Sequence, residues 1–144
     1  MPTRLLPGVV ALLALPLAGC DGGGATDTLA PRGTFVGTAL DTRDSAERYT
    51  LTVRFQPVSS NAKAVQVTNA TIQSTNGRTQ MLSGYGYYST GSFLVELTSA
   101  TPACWGDLQG TASSDKRQIK DAAMHVWCEG GVVYHLGPTT LMRQ

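Results

Sequence analysis

Short runs in which apolar and polar residues alternate recur from Gly33 onward. In YTLTVRFQ, residues 49–56, the odd-numbered positions are apolar and the even-numbered positions polar, which is the period of a strand with one buried face. Eight such segments are predicted to be strands: 33–40, 47–56, 64–73, 78–88, 91–98, 103–112, 118–128 and 131–142. Strands spaced this closely are typical of a β-sandwich or a β-barrel.

Turn residues between these segments predict an antiparallel meander, in which each strand pairs with the next. Asn76-Gly77 is typical of a two-residue type I′ hairpin, since both residues tolerate a positive φ. Such a turn would place Ile72 opposite Met81.

The turn at residues 89–91 sets the register of the next hairpin. A three-residue turn there would place Tyr87 opposite Phe93. Tyr85 would then lie on the same face of the sheet as these two rings, together with further large side chains. Together with Tyr88 these residues form the densest aromatic group of the sequence. The simplest interpretation is core packing. Alternatively, some of the rings line a barrel mouth or an exposed face that binds an apolar ligand or a sugar.

A meander of eight strands can close on itself and so remove its unpaired edges. Glycines within the predicted strands provide positions at which the sheet can bend: Gly37, Gly84, Gly86, Gly106 and Gly110. The predicted fold class is therefore all-β, a single small antiparallel up-and-down barrel of about eight strands. Gly33-Thr34-Phe35 is similar to the G-x-W sequence that opens lipocalins, with Phe35 in place of Trp. The eight-stranded meander itself resembles a small barrel of the lipocalin or avidin type.

Length and composition fit one domain of ordinary size. The chain has 144 residues, of which 42 % are hydrophobic, and this content argues against disorder. Lys+Arg number 11 and Asp+Glu 10, so the net charge is +1. A chain this balanced lacks the overall basic charge typical of nucleic-acid binding, and we expect no nucleic-acid partner.

The first 20 residues have the layout of an export signal. Arg4 is followed by an apolar run from Leu5 to Leu17 and then by small residues. This run is shorter than the roughly 20 residues that a membrane-spanning helix needs. The segment Leu17-Ala18-Gly19-Cys20 resembles the lipobox of bacterial lipoproteins. The alternative is an ordinary signal peptide that contains a cysteine.

The lipobox resemblance implies cleavage before Cys20 and transfer of a diacylglyceryl group to its thiol. Residues 1–19 would then be the signal peptide, 20–32 the lipidated N-terminus with a flexible linker, and 33–144 the barrel domain. Two or three acyl chains anchor a protein stably. We therefore expect a lipoprotein held to a membrane of the cell envelope and facing the periplasm or the exterior.

Cys104 and Cys128 are the remaining cysteines once Cys20 is acylated. In an oxidising compartment such a pair forms a disulfide. A hairpin turning at residues 114–117 places the two cysteines directly opposite each other, which predicts one disulfide between neighbouring strands. Apolar residues in 114–128 also recur at helical spacing, so a helix there is an alternative.

The same hairpin places Trp105 opposite Trp127, and Asp107 opposite His125. If the cysteines face the core, both indoles point outward, and two adjacent exposed indoles indicate a contact surface. The Asp107–His125 pair either supports the sheet as a cross-strand pair or serves an envelope hydrolase.

The sequence contains no Gly-rich phosphate loop, no dinucleotide fingerprint and no nucleophile elbow. A zinc site is a further option, but the disulfide would consume its thiol, and we expect no metal and no cofactor. The candidate ligands for zinc are Asp107, His125, Cys128, Glu129 and His135.

The leading hypothesis is a non-catalytic, membrane-anchored barrel that binds a small ligand or a protein partner in the cell envelope. The candidate contact residues are Tyr85, Tyr87, Tyr88, Trp105 and Trp127. The alternatives are a passive structural component of the envelope and a hydrolase that uses Asp107 and His125. A filled barrel interior would favour recognition by the surface, whereas an open cavity would favour a small ligand.

Overall fold

Eight antiparallel strands form a closed barrel in the computed structural model, which describes residues 30–44, 46–58 and 63–144. The strands are β1 (Gly33–Leu40), β2 (Arg48–Pro57), β3 (Ala64–Ser74), β4 (Thr79–Ser89), β5 (Ser92–Ala100), β6 (Ala103–Ala112), β7 (Gln118–Cys128) and β8 (Val133–Arg143). Each strand pairs with the next, and β8 pairs with β1. The predicted up-and-down barrel is confirmed.

Two other expectations concern particular segments of the chain. The helical alternative for residues 114–128 is wrong, because Gln118–Cys128 is strand β7. The predicted signal peptide, Cys20 and most of the predicted linker lie outside the described residues. Within the described ranges, no helix is long and apolar enough to cross a membrane.

Inward-facing side chains fill the barrel interior. The ring of Phe55 meets Phe35 and Phe93 edge to face, with centroids 5.6 and 5.1 Å apart. Aliphatic side chains excluded from solvent surround these rings: Leu51, Val53, Val65, Leu97, Leu108, Ile119, Met124, Leu136 and Leu141. The barrel is therefore a packed core, as expected for about eight strands.

The β3–β4 turn is longer than the sequence suggested. A 3.0 Å hydrogen bond from the Gly77 N–H to the Ser74 carbonyl closes a β-turn, and Gly77 at its end is in the left-handed region at φ 85°. This three-residue loop shifts the strand pairing by one residue. Ile72 lies opposite Gln80, so the predicted pairing of Ile72 with Met81 is wrong.

The β4–β5 turn is shorter than the sequence suggested. Thr90 and Gly91 both have a positive φ, 49° and 90°, as a two-residue type I′ turn requires. Tyr87 therefore lies opposite Leu94, and its predicted pairing with Phe93 is wrong.

The β6–β7 hairpin has the predicted register where the cysteines meet. Cys104 pairs with Cys128, and a disulfide with an S–S distance of 2.07 Å joins them. The predicted disulfide is confirmed.

Loop and terminal residues cover the end of the barrel at which β1 begins. Lys116, in the β6–β7 turn, donates a hydrogen bond from Nζ to the buried phenol of Tyr88, and Nζ lies 4.8 Å from the centroid of that ring. The Gln144 N–H donates to the Thr34 carbonyl at 2.9 Å. The end of β8 is thereby fastened beside the start of β1.

Candidate functional site

Large apolar and aromatic side chains project into solvent from strands β4 to β7 on one side of the barrel. We call this surface the aromatic face, and its members are Tyr85, Tyr87, Leu94, Trp105 and Trp127. Tyr87 is 78 % exposed, Trp105 55 % and Trp127 37 %. Several large exposed side chains gathered on one side of a barrel mark an interaction site more often than scattered single residues do.

The two indoles are held in place by the disulfide beside them. Trp105 and Trp127 are cross-strand partners, adjacent to the paired Cys104 and Cys128. Successive residues of a strand point to opposite sides of the sheet, so the buried cysteines turn both indoles outward. The outward orientation predicted for the indoles is confirmed, and a covalent bond joins the strands that present them.

A row of polar side chains crosses the aromatic face next to the indoles. Strand pairing makes Tyr85, Glu96, Asp107, His125 and His135 consecutive neighbours from β4 to β8. Asp107 Oδ1 lies 3.2 Å from His125 Nδ1, and the rings of His125 and His135 are 5.3 Å apart. Hydrogen-bonding groups set among aromatic rings suit a ligand with both apolar and polar parts.

A shallow depression of about 660 Å³ lies within this surface. Both indoles contribute to its walls, together with Glu96, Asp107 and His125. Its size is within the range of small-molecule sites, and its open form also suits a side chain of a protein partner.

The Asp107–His125 pair has the geometry of an oriented base, but among the described residues no cross-strand partner of His125 is a nucleophile. The cross-strand partners of His125 are Asp107 and His135, and the next outward side chain along β7 is Trp127. None of these is the hydroxyl or thiol that a histidine base activates in covalent catalysis. Both side chains of the pair are about one-third exposed, 34 % and 32 %.

A metal site finds no support in the part of the chain that the structure describes. No group of three or more His, Cys, Asp or Glu side chains there is arranged to hold a metal ion. The thiol of Cys128, one of the candidate zinc ligands, is in the disulfide.

One predicted contact residue lies elsewhere, and others were missed. Tyr88 is 1 % exposed and points inward, so it does not belong to the aromatic face. Tyr85 does, and its phenol accepts a 2.8 Å hydrogen bond from Gln66 Nε2. The sequence analysis missed Leu94 and Glu96 as parts of this surface, although they alternate with the buried side chains of β5 and this period could have revealed them.

A second cleft, of about 370 Å³, lies at the opposite end of the barrel from Lys116, and we call it the mouth. Arg43 donates hydrogen bonds of 3.2 and 2.9 Å to the two carboxylate oxygens of Asp41. The bonds from this guanidinium lower the pKa of Asp41 to about 2. The sequence analysis gave no sign of this pair, because two charged residues after a strand match no motif.

Two tyrosines line the mouth beside that ion pair. Tyr49 and Tyr134 meet edge to face with ring centroids 5.6 Å apart. Burial raises the pKa of both phenols, so they remain neutral at physiological pH.

Comparison with known proteins shows similarity of fold alone. No protein-family model matches this chain, and no curated protein matches it. The solved structures that are similar include EF1p2_mFAP2b bound to DFHBI, with a TM-score of 0.63 and 17 % identity, covering 83 % of this chain and 100 % of that chain. They also include a fluorescence-activating β-barrel designed de novo, with a TM-score of 0.51 and 18 % identity, covering 78 % of this chain and 93 % of that chain. The protein is thus similar to small fluorescence-activating barrels.

Proposed function

We propose that this protein is a membrane-anchored, non-catalytic lipoprotein of the cell envelope whose aromatic face binds a ligand or protein partner. The observation that carries the proposal is the pair of exposed indoles, Trp105 and Trp127, on a barrel whose interior is filled. Because buried side chains of the described residues occupy the interior, we assign recognition to the outer surface.

Closure of the barrel also favours recognition by side chains. Most of each strand is paired on both sides, which leaves little free edge to which a partner could add a strand. Tryptophan and tyrosine are the residues that most often dominate the binding energy of an interface. A similar fold serves binding in EF1p2_mFAP2b, which is bound to DFHBI.

The anchor is proposed from the sequence Leu17-Ala18-Gly19-Cys20. Its test is mass spectrometry of the N-terminal peptide of protein extracted from membranes. We expect a peptide that begins at Cys20 and carries acyl chains. An unmodified Cys20 thiol would contradict the anchor.

Binding through the aromatic face is tested by substituting both indoles. We expect Trp105→Ser/Trp127→Ser to lose the partner that native mass spectrometry detects on the wild-type protein from envelope extracts. Unfolding stability should fall by about 1–2 kcal/mol without loss of the fold, because the indoles are cross-strand partners and Trp127 packs edge to face on His135. The matched control is Leu40→Ser/Val132→Ser, which removes two exposed apolar side chains elsewhere and should retain the partner.

The outcomes separate this proposal from the alternatives. Equal association of the two double variants would contradict binding by the aromatic face and favour a passive structural role. Hydrolysis that Asp107→Asn abolishes would instead support an envelope hydrolase.

A further inference from the structure

The end of the barrel at which β1 begins and β8 ends carries most of the positive charge of the described residues. Seven of their ten Lys and Arg residues lie there: Arg32, Arg54, Lys63, Lys116, Arg117, Lys120 and Arg143. Two of their eight Asp and Glu residues, Asp115 and Asp121, share this end. We call it the basic pole. The net charge of the chain is only +1, so the charge is segregated rather than merely abundant.

Strand pairing brings several of these cations near one another. Arg32 immediately precedes β1, and Arg54 lies opposite Thr34 near the start of that strand. The Arg143 N–H donates a 2.8 Å hydrogen bond to the Arg117 carbonyl, which brings the β6–β7 turn beside the end of β8.

Two guanidinium groups border a depression of about 660 Å³ at the basic pole, those of Arg117 and Arg143. In the described part of the chain, neither forms a salt bridge. The nearby carboxylate of Asp115 accepts hydrogen bonds from the Ser113 hydroxyl at 2.5 Å and the Arg117 N–H at 3.0 Å. The turn thus engages the acidic group, while the guanidinium forks suit the oxygens of a phosphate.

We propose that the basic pole is a membrane-binding surface that rests on anionic lipid headgroups. The proposal rests on the proposed lipid anchor, because the chain that precedes Arg32 enters the barrel at this pole and a tether at Cys20 would hold the pole nearest to the lipid. A cation close to an anionic membrane surface gains a free energy that corresponds to about five-fold in partitioning. Several cations at one end would therefore orient the tethered barrel as well as attract it.

The tether and one exposed apolar side chain favour a lipid surface over other polyanions. Met142 is 45 % exposed within the same depression and can contact the interface between the headgroups. The indoles of the aromatic face lie toward the mouth, where β6 begins and β7 ends, so this orientation leaves them clear of the membrane.

Arginine footprinting on vesicles tests the proposal within a single molecule. The protein is purified with its N-terminal segment and mixed with vesicles of phosphatidylcholine alone, or with vesicles in which one third of the lipid is phosphatidylglycerol. Its arginines are then labelled with phenylglyoxal. We expect phosphatidylglycerol to slow the labelling of Arg117 and Arg143 about five-fold, and high salt to restore it. Arg48 and Arg78, at the mouth end, are the internal controls and should label equally on both vesicles.

Equal labelling of Arg117 and Arg143 on both vesicles would overturn the proposal, as would equal protection of Arg48 and Arg78. A short oligonucleotide that protects the pole where phosphatidylglycerol does not would also overturn it. Mass spectrometry of the N-terminal peptide in the same samples separates the two proposals. Protection without acylation supports the basic pole and contradicts the anchor, whereas acylation without protection contradicts the pole alone.

Discussion

At the scale of single residues, the Asp41–Arg43 pair fastens the mouth of the barrel. Asp41 is buried directly after β1, and it is paired with the half-exposed Arg43. The same guanidinium donates a hydrogen bond to the Val133 carbonyl at the start of β8. The pair therefore ties the end of the first strand to the beginning of the last.

This pair should make stability depend on acidity. The pKa of Asp41 is about 2 in the folded protein against an ordinary value of 3.8, so folding favours the ionised carboxylate. The stabilisation is complete above about pH 5, where the carboxyl is ionised in both states, and is lost as the pH falls through about 2. We expect Asp41→Asn to lower the free energy of unfolding by about 1–2 kcal/mol at pH 7, since the exposure of Arg43 weakens the interaction. The free energy of unfolding of this variant should also fall less steeply between about pH 5 and pH 2, the acid limb of the stability curve.

Urea unfolding between pH 7 and pH 2 measures this effect. Asp121→Asn, which removes an exposed carboxylate from β7, is the control and should leave the acid limb unchanged. An unchanged limb in Asp41→Asn would show that the ion pair does not set it.

At the scale of the strand, glycine allows two neighbouring backbones to approach closely. A Cβ added at Gly86 would lie 1.9 Å from the Leu94 carbonyl oxygen and 2.6 Å from the Val95 Cα. Because these are backbone atoms, β4 and β5 would have to separate. We expect Gly86→Ala to lower the free energy of unfolding by about 3 kcal/mol or more.

The matched control for this substitution is Gly77→Ala in the β3–β4 turn. A Cβ there meets no atom within 4 Å, so the cost is the strain of its φ of 85° alone, about 1–2 kcal/mol. Chemical denaturation of both variants gives the comparison. A smaller loss for Gly86→Ala than for Gly77→Ala would contradict the role of close approach.

The disulfide acts at the same scale by joining β6 to β7. It closes a loop between residues 24 apart in sequence, and such a crosslink restricts the unfolded chain. We expect Cys104→Ala/Cys128→Ala to lose about 3 kcal/mol of stability. A reductant should lower the urea midpoint of the wild-type protein and leave that of the double variant unchanged. Equal midpoints for wild type and variant would contradict this expectation.

The hairpins show which parts of the fold the sequence determines locally. Alternation located all eight strands, and the opposed cysteines gave the register of β6 and β7. At the turns that contain Gly77 and Gly91, the predicted strand pairing is wrong by one residue in each case. Asn-Gly fits both a two-residue and a three-residue loop, and the choice depends on which face the flanking strands must bury.

The one-residue difference between the predicted and the observed pairing of β4 with β5 decides which tyrosines belong to the candidate site. In the observed pairing, Tyr87 points outward beside Leu94, and Tyr88 points inward beside Phe93. The outward indoles were predictable because the disulfide fixed their register. The tyrosines were not, because their hairpin has no comparable constraint.

At the scale of the whole molecule, the seam between β1 and β8 is the most sparsely paired boundary of the barrel. Register pairing there covers two residue pairs, against eight between β1 and β2. The gap is crossed by individual contacts, such as the 2.7 Å hydrogen bond from the Thr139 hydroxyl to the Thr38 carbonyl. Pro138 contributes no N–H to this seam.

Hydrogen exchange should therefore identify the seam. We expect the amide of Thr38, which faces β8, to exchange faster than those of Val95 and Leu108, which lie in fully paired strands. Mass spectrometry of the exchanged native protein measures this difference. Uniform protection around the barrel would show that side-chain packing secures the seam as firmly as ladder hydrogen bonds.

Fastening of Gln144 beside Thr34 has a practical consequence for labelled versions of the protein. An epitope or fluorophore fused after Gln144 would emerge next to the entry of the first strand and compete for the space around it. The β7–β8 turn, with Gly130 and Gly131 exposed at the far end, offers an insertion point that keeps a reporter away from both chain ends.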